Sequence, residues 1–268
     1  MGLSITDRSP VFKQFATTRE FLGDRATLTE NTLAEKWDSR FKEFYDGQIV
    51  TKRLTDAVLS LKCHEQGPLR QRLKSVLGGD LSPNFEPSQA KDIFYELELA
   101  ADFCASGFTT TLREPDIAIA DCGLQDQYGV ACKYPSSESQ IHAHLSKGYS
   151  QLTRQSMRGF VAIGFDLLIF KEIGKFIDFR QGHRAPLDVM QGCMNEAMTN
   201  LVTDRAEKYP SEAPIDGALF TLRASGIYGA PAQLTTVTAV TIQCDSKNPM
   251  AVDIGHIHKT LRSLCNVP

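Results

Sequence analysis

Residues 108–134 read FTTTLREPDIAIADCGLQDQYGVACKY, and how this stretch pairs with itself decides the fold. Three β-type runs, 108–112, 116–121 and 127–134, are separated by Arg113-Glu114-Pro115 and by Gly123-Leu124-Gln125-Asp126. The second separator is a turn sequence, so the last two runs are predicted to form a hairpin. Counting outward from its centre pairs Asp121 with Tyr128, Ile119 with Val130 and Asp116 with Lys133. Strand side chains alternate between faces, so Ile117, Ile119, Val130 and Cys132 form a core face. The other face carries Asp116, Ala118, Ala120, Gly129, Ala131 and Lys133. One acid and one lysine among small residues leave room for a ligand, a metal ion or a covering helix. As an exposed cross-strand ion pair alone they would contribute well under about 1 kcal/mol.

The flanking sequence extends this unit in both directions. Ser88 is placed to cap a helix over 89–105 that Gly107 ends. Within it Glu96 shares a surface with Leu99, Ala100 and Phe103, and Glu98 shares another with Phe94, Leu97 and Ala101. At about 100° per residue the two glutamates point roughly 200° apart, so at most one faces the hairpin. Downstream the pattern predicts a helix over 138–157, an apolar strand over 160–169, a short strand over 175–179, a helix over 187–208, and strands over 217–223 and 234–244. Upstream the texture is helical. Leu33, Trp37, Phe41 and Phe44 recur at three and four, Leu54, Val58 and Leu61 continue the period, and Gly67-Pro68 breaks it. The expected organisation is a helical N-terminal subdomain over 1–80, a linker, and an α/β domain over 88–268.

Composition narrows the function classes. The chain has 268 residues, 42% of them hydrophobic and 23% charged, which suits a soluble globular protein with a substantial core. No apolar run approaches the roughly 18–20 residues of a membrane span, and the N-terminus lacks a basic patch followed by an apolar stretch. Seven cysteines, an odd number with no C-x-x-C pair, suggest neither a disulfide framework nor a zinc ribbon, so a cytoplasmic location is expected. A net charge of −3 excludes a surface coated in positive charge, so a polyanion would meet a local patch. Two basic stretches qualify, Lys52 to Lys74 and Lys147 to Arg184. They read either as solvated helix faces or as a phosphate track beside the site. Neither G-x-x-x-x-G-K-[ST] nor G-x-G-x-x-G occurs. A thiol nucleophile at Cys132, with His142 and His144 downstream, is disfavoured because the hairpin points Cys132 into the core. His256 and His258 would share a metal only if their segment were extended.

The residues that carry chemistry resemble the PD-(D/E)xK nuclease superfamily, the restriction-endonuclease-like proteins. The likeness rests on YELELAADF in the first helix, Glu114-Pro115-Asp116 before the second strand, GVACKYP (129–135) on the third, and Gln151 in KGYSQL on the following helix. The helix-strand-strand-strand-helix-strand order over about 88–170 is similar too. The resemblance implies a mixed β-sheet flanked by helices and a metal-dependent hydrolysis of phosphodiester bonds, with DNA ahead of RNA as substrate. It further implies Mg²⁺ or Mn²⁺ held by Asp116, by the backbone carbonyl of Cys132 and by Glu96 or, second to it, Glu98. Lys133 would be the catalytic cation and Gln151 a neighbour of the site. It also implies a role in bacterial defence or DNA maintenance, and a homodimer or a larger protein assembly is compatible with it. One departure matters: the family places Asp or Glu two residues before the lysine, and here that residue is Ala131. The alternative is therefore a catalytically degenerate nuclease fold that binds nucleic acid or serves as an assembly subunit.

Overall fold

Six strands form one sheet in sequence order: β1 (Thr109–Thr111), β2 (Ile117–Ala120), β3 (Tyr128–Lys133), β4 (Gly159–Gly164), β5 (Ala218–Tyr228) and β6 (Gln233–Gln243). The computed structural model describes residues 9–62, 66–81, 86–121, 123–124, 127–168, 190, 192, 194–195, 217–228, 233–243 and 251–265. The strand expected over 175–179 lies outside these residues, as does most of the helix expected over 187–208. By compactness the chain divides into Met1–Ala101 and Asp102–Pro268, inside a helix rather than in the 78–88 linker read from the sequence.

In the second unit β2 runs antiparallel to its neighbours β1 and β3, β3, β4 and β5 run parallel, and β6 returns antiparallel to β5. The protein is thus mixed α/β, with helices flanking a six-stranded mixed sheet. The hairpin register differs from the expected one: Ile117 faces Val130, Ala118 faces Gly129 and Ile119 faces Tyr128. Every pair has slipped by two residues. A slip of two keeps each side chain on its face, whereas a slip of one would have exchanged the faces. Asp116 and Lys133 therefore share a face, as the alternation requires, but meet diagonally rather than directly opposite.

What covers that face explains its small residues. A single 3₁₀ turn (Glu138–Gln140) leads into a helix, Ile141–Arg154, which returns along the sheet with Ile141, Leu145, Gly148 and Leu152 buried. A Cβ on Gly129 would stand 2.9 Å from a Leu152 methyl and 2.9 Å from the Pro115 ring, and one on Gly148 would meet Val161 at 2.6 Å. Of the three options open in the sequence, the covering helix is what occupies most of this space. On the opposite face Phe103 packs edge-on against Phe108 and Phe160. The Tyr128 hydroxyl there donates to Asp253 of the C-terminal helix, Ala251–Cys265.

The first unit holds α1 (Pro10–Thr27), α2 (Glu30–Trp37), α3 (Phe41–Leu61), α4 (Gln66–Gly78) and most of α5 (Gln89–Ala105). With these, Ile141–Arg154 is α6 and Ala251–Cys265 is α7. Phe21 stacks on Phe44 at 3.8 Å between ring centroids and meets Trp37 edge-on at 5.2 Å. The Gly67-Pro68 pair begins α4 rather than ending a helix, because proline in a first turn has no hydrogen bond to lose. Ser88 caps α5 as expected, accepting from the Lys91 amide at 3.2 Å. At the other end Gly107, with φ of +92°, completes a Schellman cap, in which the Phe108 amide reaches the Phe103 carbonyl and the Gly107 amide that of Cys104.

Candidate active site

Three elements of the second unit deliver one cluster. Asp116 stands at the head of β2, Lys133 ends β3, and Gln151 lies in the third turn of α6. The Lys133 ammonium is 2.8 Å from the Cys132 carbonyl oxygen, 2.9 Å from Gln151 Oε1 and 3.4 Å from Asp116 Oδ2. Three oxygens thus surround one cation. Asp116 Oδ2 also accepts from the Cys132 amide at 2.7 Å, and Oδ1 accepts from Gln151 Nε2 at 3.1 Å. Side-chain exposures of 15% for Lys133 and 14% for Asp116 make this a mostly covered pair, screened less than a surface ion pair.

A fourth residue belongs here that sequence reasoning had quoted without giving it a role. Gln151 Nε2 donates to the Pro115 carbonyl and lies 3.4 Å from Glu114 Oε2. One amide group therefore touches oxygens of three consecutive residues, 114 to 116. Two carboxylates and a backbone carbonyl meet on that nitrogen, just as two carbonyls and a carboxylate meet on the lysine. Glu114 is a second acid beside Asp116, in a chain whose residue two before the lysine is Ala131.

The glutamates of α5 are used within the first unit. Arg53 grips Glu98 in a fork, Nε to Oε1 and Nη2 to Oε2, each at 2.6 Å. Arg72 Nε donates to Glu96 Oε2 at 3.0 Å. Glu98 is buried, so this bidentate pair stabilises its charge where an unpaired carboxylate would cost several kcal/mol. His256 and His258 lie on the helical α7 two residues apart and serve different partners: Asp121 Oδ2 at 2.9 Å and the Val240 carbonyl at 3.3 Å. They do not share a site. Cys132 turns its thiol to the opposite face and is 7% exposed.

Every donor around the lysine and the glutamine amide is an oxygen, the ligand type that Mg²⁺ and Mn²⁺ prefer. The donor chemistry therefore fits a hard divalent cation. Among the described residues no group of three or more His, Cys, Asp or Glu side chains is placed to hold a metal ion, so backbone and amide carbonyls would have to complete any such set.

Burial pushes the Asp116 carboxyl above its ordinary value of 3.8, against the opposing pull of Lys133, the Cys132 amide and Gln151. A raised pKa means that the folded chain holds this proton more tightly than the unfolded chain. The favourable contribution is complete below the ordinary value and is lost as pH rises through the folded value. Asp116→Asn is accordingly expected to melt no lower than the wild type at pH 7, with the difference shrinking toward pH 4. A clear fall in melting temperature at pH 7 would mean that the ion pair outweighs the cost of burial.

No family model, no curated protein and no solved structure matches this chain. Among the described residues no helix is long and apolar enough to cross a membrane.

Proposed function

We propose that this protein is a metal-dependent nuclease of the restriction-endonuclease-like class, acting on DNA ahead of RNA. The observation that carries the reading is the meeting of Asp116, Lys133 and Gln151 within 3.4 Å of one ammonium nitrogen, from three separate elements. The order of elements supports it: three strands, then α6, then β4 is the order that the sequence resemblance implies, and the sheet is mixed.

Asp116, Glu114, the Cys132 carbonyl and the Gln151 carbonyl oxygen are the residues that would hold Mg²⁺ or Mn²⁺. Such an ion supplies polarisation of the scissile phosphate and a lower pKa for the attacking water. The protein's own groups do the remainder. Hydrolysis adds the water oxygen to phosphorus and breaks one P–O ester bond, concentrating negative charge on the phosphoryl oxygens. The Lys133 ammonium, held by its three oxygens, is a preorganised donor to that charge. Gln151 orients the Asp116 carboxylate and fixes the lysine at the same time. Cytoplasmic action in defence or DNA maintenance, and a homodimeric or larger assembly, complete the reading by analogy with the family that the sequence resembles.

The second reading is a nuclease fold that binds nucleic acid without cutting it. Ala131 in place of an acid favours it, as does the engagement of Glu96 and Glu98 with arginines. The two separate on incubating the full chain with labelled single- and double-stranded DNA and RNA, with Mg²⁺ or Mn²⁺, beside Asp116→Ala. The nuclease reading expects DNA cleavage that falls by at least about 10³-fold in the variant. Failure to cut any of the four substrates with either ion, together with no Mn²⁺ binding, overturns it in favour of the binder.

A further inference from the structure

We propose that the flank of α6 formed by His144 and Lys147 is a second phosphate-binding position, which takes a phosphodiester of the same polynucleotide next to the one held at Asp116 and Lys133. This rests on the nucleic-acid reading above and extends it from the reacting group to the length of strand that the protein grips.

The placement follows from the helix. Its sheet-facing stripe is Ile141, Leu145, Gly148 and Leu152. On one side of that stripe the Tyr149 hydroxyl reaches the Gly217 carbonyl at 2.9 Å, beside β5. On the other side Gln151 reaches Asp116, beside β2. His144 precedes Gln151 by seven residues, 20° short of two full turns, and Lys147 precedes it by four, 40° past one turn. Both therefore share the flank of Gln151. At about 1.5 Å rise per residue they stand roughly 6 and 10 Å along the helix from it. Consecutive phosphates of a strand stand farther apart than their roughly 3.4 Å rise along a duplex axis, so the flank reaches the next one or two of them.

His144 shows a specific deficiency. Its Nδ1 is buried and has no hydrogen-bond partner among the described residues, although the side chain as a whole is half-buried. The buried Nδ1 is closed to a phosphate, so what a strand could reach here is the exposed part of the ring and the exposed Lys147. Burial pushes the ring's pKa down, and the positive charges of Lys147 and Lys133 push it further the same way. Lys147 shares its helix and Lys133 comes from β3. β4 presents no charged side chain, and the 3₁₀ turn carries the exposed Glu138. A phosphodiester lying against the exposed Lys147 would offset that repulsion and make a second proton on the ring easier to hold. Anion binding and protonation of His144 are thereby coupled, in proportion to the opposing charge that the lysines supply.

The test uses the full chain without divalent metal, so that binding is read without cleavage. A fluorescein-labelled oligothymidylate is titrated in EDTA by anisotropy at pH 8 and pH 6, with wild type, His144→Gln and Lys147→Gln. Wild type should bind about 5- to 10-fold tighter at pH 6, and His144→Gln should lose most of that gain. Lys147→Gln should bind more weakly at both pH values and lower the slope of log affinity against log salt by about 0.7. In wild type the His144 ring proton resonance should titrate at higher pH once the oligonucleotide is bound. A pH gain unchanged in His144→Gln, or a His144 resonance indifferent to the oligonucleotide, overturns the proposal. If Asp116→Ala loses cleavage while both flank variants bind like wild type, this inference fails and the nuclease reading stands. If no oligonucleotide binds at either pH, this inference fails, and cleavage with Mg²⁺ or Mn²⁺ decides the nuclease reading separately.

Discussion

Lys133→Met is expected to lose cleavage while holding Mn²⁺ at least as tightly as the wild type. The Lys133 ammonium sits among the Cys132 carbonyl, Gln151 Oε1 and Asp116 Oδ2, the same oxygens that a divalent ion would seek. Removing it makes the local charge more negative by one and takes away the cation placed among those three oxygens, leaving the Cys132 amide on Asp116 Oδ2. Cation affinity, read by electron paramagnetic resonance or calorimetry with Mn²⁺, should therefore rise a few-fold. The rate should fall by about 10²- to 10³-fold in single-turnover cleavage, the usual loss when one preorganised donor to a developing charge is deleted. Asp116→Asn should lose both properties. This opposition is the diagnostic point, because a lysine that merely tied two strands together would not improve cation binding when removed. Full cleavage by Lys133→Met, or Mn²⁺ binding that neither substitution alters, would sink the assignment.

Gly159→Ala is expected to be the most damaging glycine-to-alanine change among the described residues of the second unit. A Cβ there would stand 1.9 Å from the Gly129 carbonyl oxygen and 2.8 Å from its carbon, with a Leu152 methyl also at 2.8 Å. The obstacle is backbone of the paired strand, and Gly129 cannot retreat, because its amide donates to the Arg158 carbonyl at 2.8 Å and its other side meets Pro115 and Leu152. Gly148 differs in kind: the three atoms nearest its added methyl all belong to the Val161 side chain rather than to backbone. A cost of about 4 kcal/mol or more is expected, which at roughly 2–4 °C per kcal/mol lowers the melting temperature by about 10 °C or prevents folding. Thermal denaturation followed by near-ultraviolet circular dichroism measures it. A melting temperature within about 2 °C of wild type would show that the two glycines do not approach so closely in solution.

How far the sequence could be read depended on which physical quantity each feature rests on. Which face a residue takes depends only on parity, so Asp116 and Lys133 were legible as neighbours even though the pairing slipped by two. The slip itself was not legible, because it depends on where the turn centres, and Gly-Leu-Gln-Asp allows more than one choice. The boundaries of α5 were legible because Ser88 and Gly107 act through local hydrogen bonds. Helix α7 was missed although Ile254, Ile257 and Leu261 recur at three and four and are all buried, since Gly255 and its β-branched neighbours weaken the helical signal. Glu114 was overlooked for a different reason. Its nearness to Gln151 is set by the course of the chain before β2, which no periodicity encodes.

The end of β3 is secured from both sides of the sheet. Lys133 points into the site, while Tyr134, one residue on, faces the other way and donates its hydroxyl to Asp166 at 3.1 Å. Asp166, 5% exposed, also accepts from the Arg223 amide at 2.8 Å, and the Arg223 guanidinium donates to Asp102 at the end of α5. The backbone that carries the lysine is therefore braced from behind by strands β4 and β5. If the cluster binds a substrate as proposed, reorganisation is expected in the side-chain torsions of Lys133, Gln151 and Glu114 rather than in the braced main chain. A site built this way separates recognition from folding: its reacting groups can be exchanged one at a time, and the frame that aims them stays as it was.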